Sequence, residues 1–203
     1  MKVAEAIRLR ELGNRPYVEV LEEMKAFTRA RDEHTEDELW LVEHPPVYTL
    51  GQGAPQRAVA NGIPVVRADR GGDITFHGPG QAVLYALVDL ARRGIKVKRF
   101  VWLLEQAVID LLAQSGVGGE RRRGAPGVYV GGAKIAALGI RVTRGRAYHG
   151  LSLNVAMDLA PFSAIDPCGY PGLAVVDMKT LGLPLTQAAE RLAQHLVSRI
   201  DHG

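Results

Sequence analysis

The chain is poor in cysteine and in long apolar runs, and each shortage excludes a class of protein. One cysteine among 203 residues rules out an internal disulfide framework and a cysteine-rich zinc site. The longest strongly apolar run, Ala82 to Val88, is far shorter than the roughly 20 residues that a membrane-spanning helix needs. Charges between Lys2 and Glu11 leave no apolar core for a signal peptide. We therefore expect a cytoplasmic protein with no membrane attachment, in which the lone thiol stays reduced.

The chain also has no large excess of positive or negative charge. Lysine and arginine number 25 against 22 acidic residues, which gives a formal net charge of +3. That excess is too small to indicate nucleic-acid binding, although local basic patches could still steer an acidic protein partner. With 47% hydrophobic and 23% charged residues, the composition is that of a globular protein. The length favours a single domain over residues 1–203.

The order of hydrophobic patterns predicts an α+β fold with a mixed sheet, because strands and helices do not alternate regularly. Asn14 is expected to cap a helix that runs to about Arg31. The apolar run Ala82 to Leu90 predicts a buried central strand, and Gly131-Gly132 predicts a tight hairpin. The glycine-rich stretch 115–127 is interpreted as a flexible loop. The remaining patterns predict strands at 38–43, 47–50, 64–68 and 148–155 and helices at about 100–116 and from 186.

Glycine, in contrast, is abundant and unevenly distributed. Many of the 23 glycines fall within 70–81 and 116–172, between apolar strand residues. Glycine there permits a close approach of the backbone to a ligand, or a positive φ. A sheet with many turns would need the same glycines. Composition therefore locates candidate loops at these two places without assigning them a ligand.

The single cysteine, Cys168, lies in a turn rich in proline and glycine, which is compatible with a reactive thiol as well as with a structural one. A thiol pKa of about 8.5 leaves only a few per cent of thiolate at neutral pH, so a reactive cysteine needs a cation nearby. His44, His77, His149 and Lys134 are the candidates, and sequence spacing does not choose among them. A solitary histidine is more often structural, and Lys134 follows a hairpin turn, where a lysine is often solvated. No two histidines have the i,i+4 spacing of a metal-binding helix, so we expect no metal site.

Five ordered motifs between about residues 40 and 175 resemble the lipoyl(octanoyl) transferase family. They are EHPPVYTLGQ at 43–52, RGGDITFHGPGQ at 70–81, APGVYVGGAKIAALGIRV at 125–142, YHGLSLNV at 148–155 and DPCGY at 166–170. Phe76 stands where the family often has tyrosine, and Ser152 stands where alanine is frequent. Neither departure affects the chemistry that the family performs.

The resemblance implies the fold of biotin and lipoate protein ligases, in which helices flank a mixed sheet. It implies an acyltransferase that needs no cofactor and moves an octanoyl group from octanoyl-acyl carrier protein to lipoyl domains. Those acceptor domains belong to 2-oxoacid dehydrogenases and to the glycine cleavage H protein. Cys168 would form the acyl-thioester, and Lys134 would lower the pKa of the thiol and could relay a proton; His44 and His149 remain candidates for assisting roles. The substrate-binding residues that it implies are Arg70, Gly71, Gly72, Asp73, Ile74, Thr75, Phe76, His77, Ala137, Leu138, Gly139, Gly150, Leu151 and Ser152.

Two other functions are alternatives to this one. An ATP-dependent lipoate or biotin ligase on the same fold would need an adenylate site and no nucleophilic cysteine. A noncatalytic module that binds an acyl carrier or a nucleic acid would fit the sequence pI of about 9.1. The arginines Arg121, Arg122, Arg123, Arg141, Arg144 and Arg146 are equally compatible with a docking surface for an acidic protein and with a solvated face.

Overall fold

A computed structural model of the chain describes residues 6–56, 59, 61–165 and 172–202. Its strands are β1 (Ile7–Asn14), β2 (Asp37–Glu43), β3 (Val47–Leu50), β4 (Val65–Arg67), β5 (Ile74–His77), β6 (Gln81–Asp89), β7 (Gly127–Val130), β8 (Ala133–Thr143) and β9 (Arg146–Asn154). Its helices are α1 (Tyr17–Ala30), α2 (Leu90–Arg93), α3 (Val97–Ala113) and α4 (Ala188–His202), with a 3₁₀ turn at Ala160–Ala164.

These strands form two mixed sheets. The larger sheet has the order β1-β2-β6-β9-β8-β7, and the smaller one has the order β4-β3-β5. In the larger sheet β1 and β2 are parallel, whereas the other neighbours are antiparallel. The predicted buried strand is β6, which lies inside this sheet between β2 and β9. Mixed sheets with flanking helices confirm the predicted fold class.

Helices cover both faces of the larger sheet, because its strands alternate apolar residues between the two sides. On one side Leu84 packs with Phe100 of α3 and Leu196 of α4. On the other side Tyr85 packs with Met24 of α1. Burying each such side chain contributes about 1.5–3 kcal/mol to the free energy of folding. Within the described residues, no helix is long and apolar enough to cross a membrane.

The N-terminus differs from the sequence-based prediction. Residues 7–14 form an edge strand that pairs in parallel with β2, and this strand was not predicted. Its outward residues are exposed, so it lacks the apolar pattern of a buried strand. Asn14 was predicted to cap α1, and that prediction is wrong. Asn14 is the last residue of β1, its side chain donates to Glu43 Oε1 at 3.3 Å, and Pro16 is the residue that precedes the helix.

The segment 115–127 was predicted to be a flexible loop, but the fold holds it in place through β7. Glu120 and Tyr129 exchange two backbone hydrogen bonds, with N···O distances of 2.8 and 2.9 Å. The Arg122 guanidinium lies 4.3 Å above the centre of the Tyr129 ring. In contrast, the hairpin prediction is confirmed, since Gly131 and Gly132 have φ values of +55° and +88° between β7 and β8.

Candidate active site

A cavity opens on the α1 side of the larger sheet, next to the smaller sheet, and its free space, with open solvent included, is about 490 Å³. Ala137 on β8 pairs with Ser152 on β9, and Gly139 pairs with Gly150. Alternate residues of a strand share one face, so these four small residues leave open a strip of the sheet that larger side chains would fill. The other walls come from α1, β5 and β6 and include Tyr17, Ile74, Thr75, His77, Val83 and Tyr85.

The loop that carries Arg70 to Asp73 lies over this strip and closes part of the cavity. Gly71 N donates to Ile140 O at 3.0 Å, which ties the loop to β8. A Cβ atom on Gly139 would lie 2.8 Å from Gly71 O, so only glycine allows this approach. The glycine-rich motifs therefore permit close packing of backbone against backbone around the cavity.

Arg70 brings a buried guanidinium to the cavity wall. Its Nη2 atom donates to Thr49 O at 2.7 Å and to Thr49 Oγ1 at 2.8 Å, and its Nη1 atom donates to Gly71 O at 3.0 Å. These bonds fix the side chain between the smaller sheet and the loop. The guanidinium therefore places a fixed positive charge at the cavity wall.

Three buried histidines lie around the cavity, and burial lowers the pKa of each one. The pKa of His77 falls to about 3, chiefly because burial disfavours the imidazolium and secondly because His44 is close. His77 Nδ1 bonds Gln81 Oε1 at 2.7 Å. His44 Nε2 bonds the Tyr85 hydroxyl at 2.8 Å, and burial lowers its pKa as well. These imidazoles are therefore uncharged at neutral pH.

His149 has a backbone conformation that is rare for a residue with a side chain. Its φ is +62°, which places its ring beside its neighbour Tyr148, with ring centroids 5.0 Å apart. His149 Nε2 lies 2.7 Å from Asp69 Oδ1, and burial still lowers the pKa of His149. Partial burial would raise the pKa of Asp69, but hydrogen bonds from His149 and Tyr148 hold it below its usual range. The pair is thus a neutral imidazole that donates to a carboxylate, with the ring against the cavity.

Lys134 lines a second, smaller cavity that shares Thr75, Ala137 and Ser152 with the first and has about 290 Å³ of free space, with open solvent included. Its side chain is buried, with only 3% of the residue exposed. Lys134 Nζ donates to Pro126 O at 3.2 Å and lies 5.2 Å from the centre of the Tyr129 ring. The lysine is therefore held inside the protein, and the interpretation of Lys134 as a solvent-exposed lysine after a hairpin turn is wrong.

Residues on both sides of the motif that holds Cys168 meet at the Lys134 cavity. Phe162 precedes that motif, Val175 follows it, and both line the cavity. Lys134 N donates to Ala174 O at 2.8 Å, and Val176 N donates to Lys134 O at 3.0 Å. Cys168 itself lies outside the described residues.

The structure brings together most of the residues that the sequence motifs implied. All of the implied substrate-binding residues line the larger cavity except Gly71, which sits in its covering loop, and Phe76. The Phe76 ring packs away from it, with ring centroids 5.4 Å from Tyr48 and 5.6 Å from Phe162. His44 does not line the cavity but lies behind the lining residues Tyr17, His77 and Tyr85. Tyr17, Val83 and Tyr85 were not singled out from the sequence, because their apolar periodicity indicated ordinary core residues.

The six arginines considered as one docking surface do not come together. Arg144 lies at the turn between β8 and β9, ten residues along the strand from Lys134, or about 33 Å at 3.3 Å per residue. Arg146 Nη1 donates to Arg31 O at 2.6 Å. Arg122 and Arg123 are exposed near the Lys134 end, whereas Arg121 turns inward to Glu105.

The sequence model of one protein family, the lipoyl protein ligase A/B catalytic domain, matches residues 16–197 of this chain. An octanoyltransferase from Dechloromonas aromatica (strain RCB) is 55% identical over 197 residues, covering 95% of this chain and 96% of that protein. An octanoyltransferase from Thiobacillus denitrificans (strain ATCC 25259 / T1) is 60% identical over 177 residues, covering 86% of this chain and 81% of that protein.

Solved structures with the same fold include ligases. A lipoate protein ligase from T. acidophilum, Ta0514 with bound lipoic acid, has a TM-score of 0.75 at 16% identity and covers 95% of this chain and 85% of that one. A biotin protein ligase from Aquifex aeolicus has a TM-score of 0.56 at 10% identity and covers 95% of this chain and 66% of that one. At these identities the likeness shows the fold alone.

Proposed function

The chain belongs to the lipoyl protein ligase A/B catalytic-domain family and, within it, to the octanoyltransferases; from this premise we propose the route of its octanoyl transfer. Octanoyl-acyl carrier protein is the donor, Cys168 carries the octanoyl group as a thioester, and Lys134 is the cation that favours the thiolate. The acceptor is a lysine of a lipoyl domain.

One observation carries the assignment of Cys168 and Lys134. Phe162 and Val175, which flank the cysteine motif in sequence, both line the cavity that holds Lys134. Backbone hydrogen bonds also join Lys134 to Ala174 and Val176, just after the motif. A buried ammonium beside a thiol favours the thiolate, which is the nucleophilic form.

The reaction has two displacement steps at one carbonyl carbon. In the first step the Cys168 thiolate attacks the donor thioester. A carbon–sulfur bond to Cys168 forms, the bond to the carrier sulfur breaks, and the departing thiolate takes up a proton from the Lys134 ammonium. In the second step the neutral amine of the acceptor lysine attacks, a carbon–nitrogen bond forms, and Cys168 leaves as a thiolate. The attacking amine gives up one proton to the neutral Lys134 amine, which restores the ammonium. Because a thioester is already activated, neither step needs ATP.

The larger cavity is proposed to hold the octanoyl chain. Seven methylene and methyl groups follow the carbonyl, and burying them at about 0.8 kcal/mol each contributes roughly 5–6 kcal/mol. The strip of small residues on β8 and β9 supplies the space, and the neutral imidazoles of His77 and His149 place no charge against the chain. Arg70 sits at the wall, where its guanidinium can face the acyl carbonyl.

Incubation with octanoyl-acyl carrier protein followed by intact-mass measurement tests this route. We expect one octanoyl adduct on the wild-type chain, no adduct on Cys168→Ser and a weaker one on Lys134→Ala. Lys179→Ala, which removes an exposed lysine, is the matched control and should behave like the wild type. An unmodified wild-type chain would refute the proposal. Release of pyrophosphate from ATP upon addition of free octanoic acid would instead indicate a ligase.

A further inference from the structure

A single peptide group lies between a buried carboxylate and Lys134. The Gly127 N–H donates to Glu105 Oε1 at 3.0 Å, and the Pro126 carbonyl accepts from Lys134 Nζ at 3.2 Å. Pro126 C=O and Gly127 N–H belong to the same amide. Glu105 and Lys134 are therefore linked in one hydrogen-bonded chain through the backbone.

The carboxylate end of this chain is fixed. Glu105 is buried on α3, with 7% of the residue exposed. Its second oxygen accepts from Arg121 Nε at 3.0 Å, and Arg121 Nη2 also donates to Trp102 O at 3.2 Å and to Gln106 Oε1 at 2.7 Å. The carboxylate is thus held by a guanidinium on one side and the peptide N–H on the other.

The peptide itself is also fixed. Gly127 has a φ of +140°, and a Cβ atom there would lie 2.6 Å from Ala136 O and 3.0 Å from Lys134 Cε. The Tyr129 hydroxyl donates to Ala125 O at 2.9 Å, which holds the chain just before the peptide. The amide plane therefore has little freedom to rotate.

We propose that Glu105 is a positioning residue for Lys134. An ionised acceptor on the N–H side polarises the amide and strengthens the carbonyl as an acceptor for the ammonium. The inference rests on the proposed function, in which that ammonium favours the Cys168 thiolate. Among the described residues, Tyr129 of β7 faces Lys134 directly, Glu105 of α3 reaches it through the peptide group, and Arg121 and Arg122 contact Glu105 and Tyr129 from the loop before β7.

The variant Glu105→Gln tests the charge with little change of shape. A glutamine oxygen can still accept from Gly127 N–H, but it carries no charge. The direct Coulomb effect of deleting a negative charge would favour the thiolate and move its formation to lower pH. Loss of positioning acts in the opposite direction, because the ammonium is held less firmly. The sign of the change therefore separates the two effects.

Alkylation by iodoacetamide as a function of pH is the assay, and it reports on Cys168 alone because the chain has one cysteine. We expect Lys134→Met to move the midpoint of the alkylation profile to higher pH. We expect Glu105→Gln to move it in the same direction and to slow single-turnover octanoyl transfer about 3- to 10-fold. Glu120→Gln removes a charge from an exposed neighbouring position and should leave the midpoint unchanged. An unchanged or lower midpoint in Glu105→Gln, with Lys134→Met shifted, overturns the role of Glu105 alone.

A second measurement keeps the two proposals separable. Hydrogen exchange of the Lys134 ammonium, followed by ¹⁵N NMR and assigned with Lys134→Met, reports directly on the bond to Pro126 O. Faster exchange in Glu105→Gln than in Glu120→Gln supports the positioning role of Glu105. An alkylation profile that Lys134→Met leaves unchanged would refute the proposed role of Lys134, and the exchange measurement would still test Glu105. Equal exchange rates overturn the inference about Glu105. Matching thermal unfolding midpoints among the variants show that the fold is intact.

Discussion

Replacing Ala137 by leucine should shorten the acyl chain that the protein accepts. Ala137 lies opposite Ser152, and Ser152 lies opposite Val83, so the three side chains form a row across the sheet. Ala137 and Ser152 line both the larger cavity and the Lys134 cavity, so this row lies where the two cavities meet. In the proposed route, an acyl chain that starts at the Cys168 thioester passes this row to reach Gly139 and Gly150. Leucine adds three carbons at this point.

The size of the effect follows from the groups that leucine displaces. Losing the burial of three methylene groups at about 0.8 kcal/mol each costs about 2.4 kcal/mol, or roughly a 50-fold decrease in kcat/KM for the octanoyl donor. A butanoyl donor has only three groups beyond its carbonyl, and its rate should change less than about 3-fold. The selectivity between the two donors, rather than the absolute rate, is therefore the quantity to measure.

Competition between octanoyl- and butanoyl-acyl carrier protein for Cys168, read by intact mass, provides that selectivity. Thr143→Leu, at the exposed end of the same strand, is the matched control and should keep the wild-type preference. An equal loss for both donors in Ala137→Leu would indicate a general disturbance of the site. That result, or an unchanged preference, would refute the placement of the acyl chain along β8 and β9.

Two further predictions concern stability. Asp37 is fully buried and accepts hydrogen bonds from Arg31, from Arg92 Nη2 at 3.0 Å and from Asp89 N at 2.8 Å, so Asp37→Ala should lower the free energy of unfolding by about 3–5 kcal/mol in urea titrations at pH 7. Burial alone would raise the pKa of Asp37, but its hydrogen bonds lower the pKa below its ordinary value. The stabilisation that Asp37 gives should therefore be complete above about pH 4, the unfolded-state pKa, and should disappear as the pH falls through the lower folded-state pKa. An equal decrease in the free energy of unfolding of Asp37→Ala at every pH would contradict this. Gly150→Ala should lower the thermal midpoint, because its Cβ would lie 2.1 Å from Leu84 O, and an unchanged midpoint would show that the strands can separate there.

Local patterns predicted the elements whose shape depends on nearby residues. The Gly131-Gly132 hairpin and the buried strand β6 are of this kind, because turn chemistry and an apolar run carry their own signal. The strand Ile7–Asn14 was missed, since it is stabilised by parallel pairing with β2, 30 residues away in sequence for Ile7 and Asp37. Its edge position allows polar residues that no apolar pattern reveals.

The candidate site was predictable only in part for the same reason. The motifs indicated the cavity walls, but Lys134 is enclosed by Tyr129 of β7 and by Phe162 and Val175, which lie far from it along the chain. The left-handed backbone of His149 is likewise set by packing against its neighbours, and histidine as a residue type does not indicate it. Tertiary contacts thus decided what the residue types left open.

The neutral histidines around the cavity have a consequence for kinetic measurements. Burial lowers the pKa values of His44, His77 and His149 below the ordinary one, so these imidazoles are uncharged at neutral and alkaline pH. The binding of the acyl chain should then be insensitive to pH across that range, while in the proposed route the rate of transfer follows ionisation of the Cys168 thiol. The pH dependence of kcat, measured at saturating donor, would therefore report on the proposed chemistry of Cys168 and Lys134. KM, measured over the same pH range by varying the donor, should stay constant.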